Sequence, residues 1–394
     1  MTKKNVVVGV TGGIAGYKAL DVISRLKKHD IDVQVIMTKS AQKFVTPLSF
    51  QALSQNMVIT DMFEEPKAWE IQHISLAKKA DLFIVVPATA NIIGKVASGI
   101  ADDMLSTTIM ATKAPVIFVP AMNTNMYENP IVQRNIEALQ CLGYEFIKPS
   151  IGRLACGDEG TGKLASVELI VDIVISKFKS TKDLLGKKVL VTAGPTIEPI
   201  DPVRFITNHS SGKMGYAIAE EARDRGAEVT LISGPTSLSK PFGIDVIDIK
   251  TNEEMYVKVM EKFAKQDIVI KSAAVADYKP ENYSENKIKK SGDNLSLRFV
   301  KNKDILLEIG KLKKSQILVG FAAESENLFE NAKGKLERKN LDFIVVNDIK
   351  SSNTGFKSDF NEVTIISKDA TVKLDIMSKR DVAKELFNLI NKKR

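Results

Sequence analysis

The sequence predicts an α/β protein, with two doubly wound parallel-sheet units in tandem on a chain of 394 residues. Three observations carry that prediction. Continuous β-branched runs such as Asn5-Val-Val-Val-Gly-Val10 recur, and an unbroken apolar run is what a parallel strand covered on both faces requires. Helix-length stretches separate the runs, which is the alternation of a crossover-connected parallel sheet. The pattern stops and restarts once, and a chain that is 44% hydrophobic has apolar surface for two cores.

The first unit opens with the strand at 5–10, a glycine turn Thr11-Gly-Gly-Ile-Ala-Gly16, and a helix over 17–28. Val33-Gln-Val-Ile-Met37, Leu82-Phe-Ile-Val-Val86 and Val116-Ile-Phe-Val119 repeat the strand pattern. The segments that follow these strands, Thr11-Gly-Gly, Thr38-Lys-Ser-Ala, Pro87-Ala-Thr-Ala-Asn and Pro120-Ala-Met-Asn, fall at the carboxyl edge of the sheet. Open α/β sheets bind ligands there, so these segments are expected to line one site. A polar stretch without strand character over 176–188 marks the boundary, which divides the chain into units 1–182 and 187–394. The same grammar then restarts with Lys188-Val-Leu-Val-Thr192 and a glycine-rich helix entry, Ser210-Ser-Gly-Lys-Met-Gly215. Strands are expected at Val229-Thr-Leu-Ile, Asp267-Ile-Val-Ile, Ile317-Leu-Val-Gly and Phe343-Ile-Val-Val. Val363-Thr-Ile-Ile366 and Val372-Lys-Leu374 read as a hairpin insertion, and an amphipathic helix over 380–391 closes the chain.

Composition narrows the function. Two cysteines, Cys141 and Cys156, speak against a disulfide scaffold and for a reducing compartment. The sequence runs from Met-Thr-Lys-Lys-Asn straight into a strand, and no apolar stretch approaches the roughly 18 residues that span a bilayer, so a cytoplasmic protein is expected. The net charge of +8 lies mostly in the second half. Those basic residues are scattered among acids rather than striped with aromatics, which suits a nucleotide or phosphorylated metabolite better than nucleic acid. His29, His73 and His209 lie far apart and, with two cysteines, form no metal-ligand spacing.

Several residues are candidates for chemistry, each with a plainer reading beside it. Cys156 sits in Gly152-Arg-Leu-Ala-Cys-Gly-Asp-Glu-Gly-Thr-Gly-Lys163, whose glycine density predicts a mobile or sharply turned loop rather than a helix or strand. Such a thiol is either reactive on a lid or a small hydrophobe under a loop. Neither glycine cluster has P-loop or full G-x-G-x-x-G spacing. The turn at Thr11 serves a phosphate or helix packing equally well. Pro120-Ala-Met-Asn-Thr-Asn-Met-Tyr127 is poor core material after a buried strand, and Asn123 suits a substrate carboxylate or amide. His73 is either a surface or core histidine or a catalytic one. Lys287-Ile-Lys-Lys on its own is an ordinary solvated charge run.

Taken in order, these segments carry a resemblance. Thr11-Gly-Gly-Ile-Ala, His73-Ile-Ser-Leu-Ala, Pro120-Ala-Met-Asn-x-x-Met and Leu154-Ala-Cys-Gly-Asp-Glu-Gly-x-Gly resemble the flavin-dependent phosphopantothenoylcysteine decarboxylases. The second half resembles phosphopantothenate–cysteine ligases through Thr192-Ala-Gly-Pro-Thr-x-Glu-Pro-Ile-Asp-Pro-Val-Arg, Asn208-His-Ser-Ser-Gly-Lys-Met-Gly and Ala273-Ala-Val-Ala-Asp-Tyr. Lys287-Ile-Lys-Lys, Gly320-Phe-Ala-Ala-Glu and Arg338-Lys-Asn-Leu-Asp extend it. Nearly end to end, the chain resembles the bifunctional bacterial proteins of coenzyme A biosynthesis, which implies a flavodoxin-like or Rossmann-like first unit and a Rossmann-like ligase unit.

The resemblance also implies roles. Oxidation of a cysteinyl thiol to a thioaldehyde places an electron sink beside the carboxylate, so carbon dioxide leaves easily, and the enethiol that results must be reduced and protonated. In this family Cys156 matches the proton donor on a closing flap, His73 the active-site histidine, and Asn123 the residue that holds the substrate carboxylate. Flavin mononucleotide (FMN) would lie over Gly12, Gly13, Ile14 and Ala15, with Ser40, Thr89 and Asn91 beside it. In the ligase half, CTP with Mg2+ would activate 4′-phosphopantothenate as an acyl-cytidylate for attack by cysteine. Asn208 matches the residue that forms the cytidylate, and Ala273, Asp277, Lys287, Phe321, Lys335 and Lys339 match nucleotide contacts. Asn302, Lys303, Asp304 and Ile305 match a nucleotide-contacting turn. The family pattern assigns no Mg2+ ligands here. Tyr127 replaces a usual tryptophan and keeps an aromatic for packing, while Lys303 replaces a frequent proline and leaves the turn less rigid. Trimeric flavin units and paired ligase units would together build a dodecamer.

Overall fold

A computed structural model describes residues 3–63, 71–178, 181–289, 295–324, 328–348 and 358–393. The chain divides into two compact units, Met1–Phe178 and Lys179–Arg394. Residues 179–180, within the polar stretch, lie outside the described residues.

The first unit is a five-stranded parallel sheet in the order β2-β1-β3-β4-β5. Its strands are β1 (Asn5–Val10), β2 (Asp32–Met37), β3 (Leu82–Ala88), β4 (Val116–Pro120) and β5 (Glu145–Phe146). This is the flavodoxin-like order, and its switch point lies between β1 and β3. Every residue of β3 and β4 is buried, as a two-sided parallel strand demands. Helices cover both faces: α1 (Gly16–Lys28), α2 (Pro47–Ser54), α3 (Gln72–Lys79), α4 (Ala90–Ala97), α5 (Met104–Ala111), α6 (Thr124–Glu128), α7 (Pro130–Cys141) and α8 (Val167–Lys177). Val8, Val22, Leu26, Val35 and Ile170 meet on one face; Phe83, Val85, Ile93, Leu105 and Phe118 meet on the other. The ring of Phe118 stacks on Phe146 at 5.1 Å. Burial at this density stabilises each large side chain by about 1.5–3 kcal/mol.

The glycine-rich segment around Cys156 departs from expectation. It forms an antiparallel hairpin of β6 (Ser150–Arg153) and β7 (Glu159–Lys163), with Cys156 in the turn. The glycines permit this pairing rather than prevent it: Gly157 turns the chain at φ +96°. At φ +148°, Gly162 lies so close to Met122 that an added Cβ would meet its carbonyl oxygen at 2.3 Å. Single-sequence reasoning read glycine as a breaker, whereas here it permits close backbone approach.

The second unit has a mixed eight-stranded sheet in the order β12-β11-β8-β13-β16-β17-β18-β19. The strands are β8 (Lys188–Ala193), β11 (Glu228–Ser233), β12 (Asp245–Asp248), β13 (Ile268–Lys271), β16 (Ile317–Glu324), β17 (Phe343–Asp348), β18 (Phe360–Ser367) and β19 (Thr371–Ser378). Two small ribbons flank it, β9 (Ile197–Pro199) with β10 (Phe205–Thr207), and β14 (Tyr278–Pro280) with β15 (Phe299–Lys301). The first six sheet strands follow the Rossmann order 3-2-1-4-5-6, with the switch between β8 and β13. The pair β18–β19 is not an insertion: β18 joins β17 antiparallel and extends the main sheet, so its alternating apolar residues complete the core. The helices are α9 (Lys213–Asp224), α10 (Asn252–Phe263), α11 (Ile305–Leu312), α12 (Leu328–Arg338) and α13 (Lys379–Lys392).

A buried charge network ties α9 to α13. Arg380 binds Glu220 at 2.6 Å, Glu221 at 3.1 Å and Asp224, while Arg225 binds Glu221 at 3.0 Å and Asn388 at 2.6 Å. The Asp224 side chain is 1% exposed, and its charge is met by Arg380 together with Arg223 at 2.8 Å. Breaking a buried pair by removing one partner costs about 3–5 kcal/mol. Arg380→Met is therefore expected to destabilise the second unit by about 3 kcal/mol. Native-state hydrogen exchange checks this: protection should fall at α9 and α13 amides and stay unchanged in the first unit.

Candidate functional site

In the first unit the site forms where the sheet order reverses. The hydroxyl of Thr11, 2% exposed, donates to the carbonyl of Pro87 at 2.6 Å and accepts from the N–H of Thr89 at 3.1 Å. This bond joins the ends of β1 and β3. Gly12 lies against Ser40, where a Cβ would meet Ser40 Cβ at 2.4 Å, so glycine is needed for the turns after β1 and β2 to touch. Beneath them α1 and α4 begin without side-chain caps, at Ala15 and Thr89. Helix starts of that kind leave backbone N–H groups and positive dipole ends available to an anion.

Two cavities meet at this edge and share Gly12, Thr89, Ala90 and Met126. One, of about 620 Å³, is lined by Thr38, Ser40, Thr89, Asn91 and the ion-paired Lys95. The other, also about 620 Å³, has Gly13, Ile14, Ala15, Met122, Asn123, Leu154 and Cys156 in its wall. The four post-strand segments read from the sequence thus line adjoining space.

The hairpin brings three polar side chains together at the second cavity: Asn123 and Cys156 on its wall, and the exposed Asp158 beside them. The N–H of Met122 donates to Gly162 at 3.0 Å, pinning β7 beside Asn123. Asn123 Oδ1 accepts from the N–H of Asn125 at 2.9 Å, capping α6, which fixes its amide with Nδ2 outward. Nδ2 donates to Asp158 Oδ2 at 2.9 Å and lies 3.5 Å from Cys156 Sγ, and Sγ itself donates to the same Asp158 oxygen at 3.3 Å. Asp158 was missed by sequence reasoning although it stands two residues from Cys156; only the turn of the hairpin reveals its aim. Tyr127 is half-buried and packs against the core cluster of Phe118. His73, half-buried on α3, lines neither cavity.

The second unit builds its cavity by the same rule. Thr192 Oγ1 accepts from Ala273 at 3.3 Å and Thr196 Oγ1 from Ala276 at 3.1 Å, so buried threonines again join the turns after two adjacent strands. The space, about 490 Å³, is lined by Asn208, Lys213, Lys271, Ala273, Asp277, Phe321, Lys335 and Lys339. The start of α9 opens on it, with Gly212 at φ +77° as its uncapped N-cap. Asn208 Nδ2 donates to Val275 at 3.0 Å. Burial in the cleft and the charge of Lys339 pull the Lys271 ammonium down to about 8. Lys271, which follows directly on the strand run Asp267-Ile-Val-Ile, was missed by sequence reasoning.

The remaining candidates do not line this cavity. Asn302 donates to Asp277 and Ala276 at 2.8 and 2.9 Å, holding that turn in place. Asp304 caps α11 and pairs with Lys339 at 2.8 Å. Burial opposes its ionisation, but the Lys339 ammonium and the Leu307 N–H hold its carboxyl below the ordinary value. Lys303 turns to Glu253 at 2.8 Å and lies over Tyr256, while the Ile305 side chain is core. Lys287 is exposed on a segment held by Asp201, which accepts from the Ile288 N–H at 3.2 Å. Lys290 lies outside the described residues. Among the described residues no group of three His, Cys, Asp or Glu forms a metal site, and no helix is long and apolar enough to cross a membrane.

Comparison with known proteins agrees with this division. The family described as Flavoprotein matches residues 1–179, and the DNA/pantothenate metabolism flavoprotein C-terminal domain matches 184–393. The chain is 50% identical over 394 residues to the coenzyme A biosynthesis bifunctional protein of Bacillus subtilis, covering 99% of this chain and 97% of that one. It is 45% identical over 390 residues to the protein of the same description from Borreliella burgdorferi, covering 98% and 99%. With 43% identity to the Escherichia coli protein over 98% of this chain and 96% of that one, the chain belongs to the family of coenzyme A biosynthesis bifunctional proteins.

Proposed function

We propose that the second unit joins cysteine to 4′-phosphopantothenate at the expense of CTP, and that the first then decarboxylates the product, with bound FMN, to 4′-phosphopantetheine. The observation that best supports the reading is the meeting of Asn123 and Cys156 on the wall of a cavity beside the Gly12–Gly13 turn, with the exposed Asp158 hydrogen-bonded to both. Family membership supports both activities, and flavin use follows from the Flavoprotein match.

The first unit fits FMN on its own chemistry. Two uncapped helix starts and the hydroxyls of Ser40 and Thr89 suit a phosphate and a polyol, while Asn91 offers an amide. The exposed face of Ile14 at the glycine turn suits a planar ring. Bound flavin supplies the oxidation of the substrate thiol and the return of the electron pair. The protein's own residues do the rest. Asn123 Nδ2, a donor by its fixed orientation, holds the substrate carboxylate. Met122, Met126, Leu154 and Ile14 give that carboxylate apolar neighbours, which favour loss of its charge as carbon dioxide. Cys156 then delivers a proton from Sγ to carbon.

In the second unit Lys271, Lys335 and Lys339 meet the phosphate charge, Phe321 and Ala273 flank the base, and Asp277 and Asn302 shape the wall. Asn208 stands at the junction with the α9 start, where the acyl-cytidylate would form. Lys287 reaches the nucleotide from outside the cavity, and Mg2+ arrives with CTP. Lys303 and Ile305 act through their backbones, since both side chains are otherwise engaged. His73 acts on the decarboxylase side. The chain works in the cytoplasm as a homo-oligomer, built from trimeric flavin units and paired ligase units into a dodecamer. Exposed Tyr17, 57% accessible, is apolar surface suited to such contacts.

Cys156→Ser should cut complete decarboxylation by about a hundredfold or more while ligation and flavin absorbance persist. Assaying pantetheine phosphate against phosphopantothenoylcysteine separates the two steps, and wild-type turnover by the serine variant would refute the donor role. Conversely, Lys287→Gln should slow CTP-dependent ligation by about a hundredfold and spare decarboxylation of supplied intermediate. The depressed Lys271 sets a pH sign. It is charged below about 8 and neutral above, so its attraction for a triphosphate is complete at lower pH and is lost as pH rises through that value. CTP affinity should fall about fivefold from neutral to moderately alkaline pH, and Lys271→Arg, charged throughout, should flatten that fall in calorimetric titrations.

A further inference from the structure

The oxygen that receives both Asn123 and Cys156 is itself a carboxylate oxygen. Asn123 Nδ2 is the donor that a substrate carboxylate would need, and Asp158 Oδ2 already holds it at 2.9 Å. Rotation of the amide offers no escape, because Oδ1 caps α6 through Asn125 at 2.9 Å. Asp158 Oδ2 also accepts the S–H of Cys156 at 3.3 Å, so one atom engages the carboxylate-binding donor and the proton donor together. A second carboxylate at Nδ2 would stand beside Asp158, and two like charges at such a separation repel by about 1 kcal/mol even in water.

We propose that Asp158 is a specificity-determining positioning residue: its carboxylate fills the place of the substrate carboxylate at Asn123, and a ligand is admitted there only by displacing it. Displacement also frees the Cys156 S–H from its acceptor, so the arrival of a carboxylate and the availability of the acid are one event. A ligand of the same shape without a carboxylate leaves Asp158 on Asn123 and Cys156 on Asp158. Discrimination therefore rests on an exchange of one carboxylate for another. The Asp158 side chain can swing aside without loss of the hairpin, since the turn stays closed by the Leu154 N–H on the backbone oxygen of Asp158 at 2.8 Å and β7 is pinned through Gly162. The inference rests on the decarboxylase reading of the first unit.

Its test uses the full chain loaded with flavin and two ligands that have no thiol to oxidise: 4′-phosphopantothenoyl-serine, which keeps the carboxylate, and 4′-phosphopantothenoyl-ethanolamine, which lacks it. In Asp158→Asn the side-chain shape and backbone bonds remain but the competing charge is gone. The variant should bind the serine compound about fivefold more tightly than wild type and the ethanolamine compound equally. A change of the same size for both ligands, or for neither, overturns the proposal, since a merely structural role would not separate them. If wild-type protein binds neither compound, the substrate reading itself fails, and the role of Asp158 with it. Flavin absorbance of the variant confirms that the unit is folded.

Discussion

A single buried hydroxyl sets the geometry of the first unit's site. Thr11 Oγ1 donates to the Pro87 carbonyl and accepts from the Thr89 N–H, so the ends of two adjacent strands cannot separate. The pairing satisfies backbone groups that would otherwise be stranded at the end of the sheet, where each unpaired group costs about 1–3 kcal/mol. With those ends joined, the glycine turn is held over the starts of α1 and α4, and both cavities inherit their shared wall from it. The hairpin that carries Cys156 rests on the next strand over, through the Met122 N–H.

The second unit meets the same constraint with the same residue type. Thr192 and Thr196, both fully buried, receive N–H groups from the turn after β13, and the adjoining Gly234 lies where a Cβ would meet the Pro195 oxygen at 1.8 Å. Two different strand orders thus arrive at one solution. Where a parallel sheet reverses direction it leaves a crevice, and a short hydroxyl side chain closes the crevice floor without filling it. The charge that lines each crevice differs with its ligand. The first presents helix starts and hydroxyls, with Lys95 paired to Asp102 and Asp103; in the second, one of the lining lysines, Lys271, has a weakened hold on its proton.

What could be read in advance follows from which interactions are local. Runs such as Leu82–Ala88 are buried on both faces, so their composition announces them, and the segments after them had to fall on one edge. The hairpin around Cys156 was not legible, because glycine permits both a loop and a close strand pair, and the choice depends on Met122, distant in sequence. Likewise the β18–β19 pair carries strand composition that cannot say whether it joins the main sheet. Lys303 and Ile305 were placed at the nucleotide through resemblance, yet Glu253 and the core of α10 and α11 take their side chains, a partition set by tertiary contacts. Asp158 and Lys271 escaped notice because each is ordinary by type and unusual only in what it faces.

The hairpin's attachment has a consequence for how such a protein can change over generations. Its hold on the sheet runs through backbone groups, the Met122 N–H and the Gly162 carbonyl, and its side chains Ile151, Arg153 and Ala155 are exposed. Substitution at those positions leaves the anchoring bonds and the core untouched. Variation there can therefore reshape what is accepted above the glycine turn at little expense to the scaffold, which makes this ribbon the natural place for new specificities to arise.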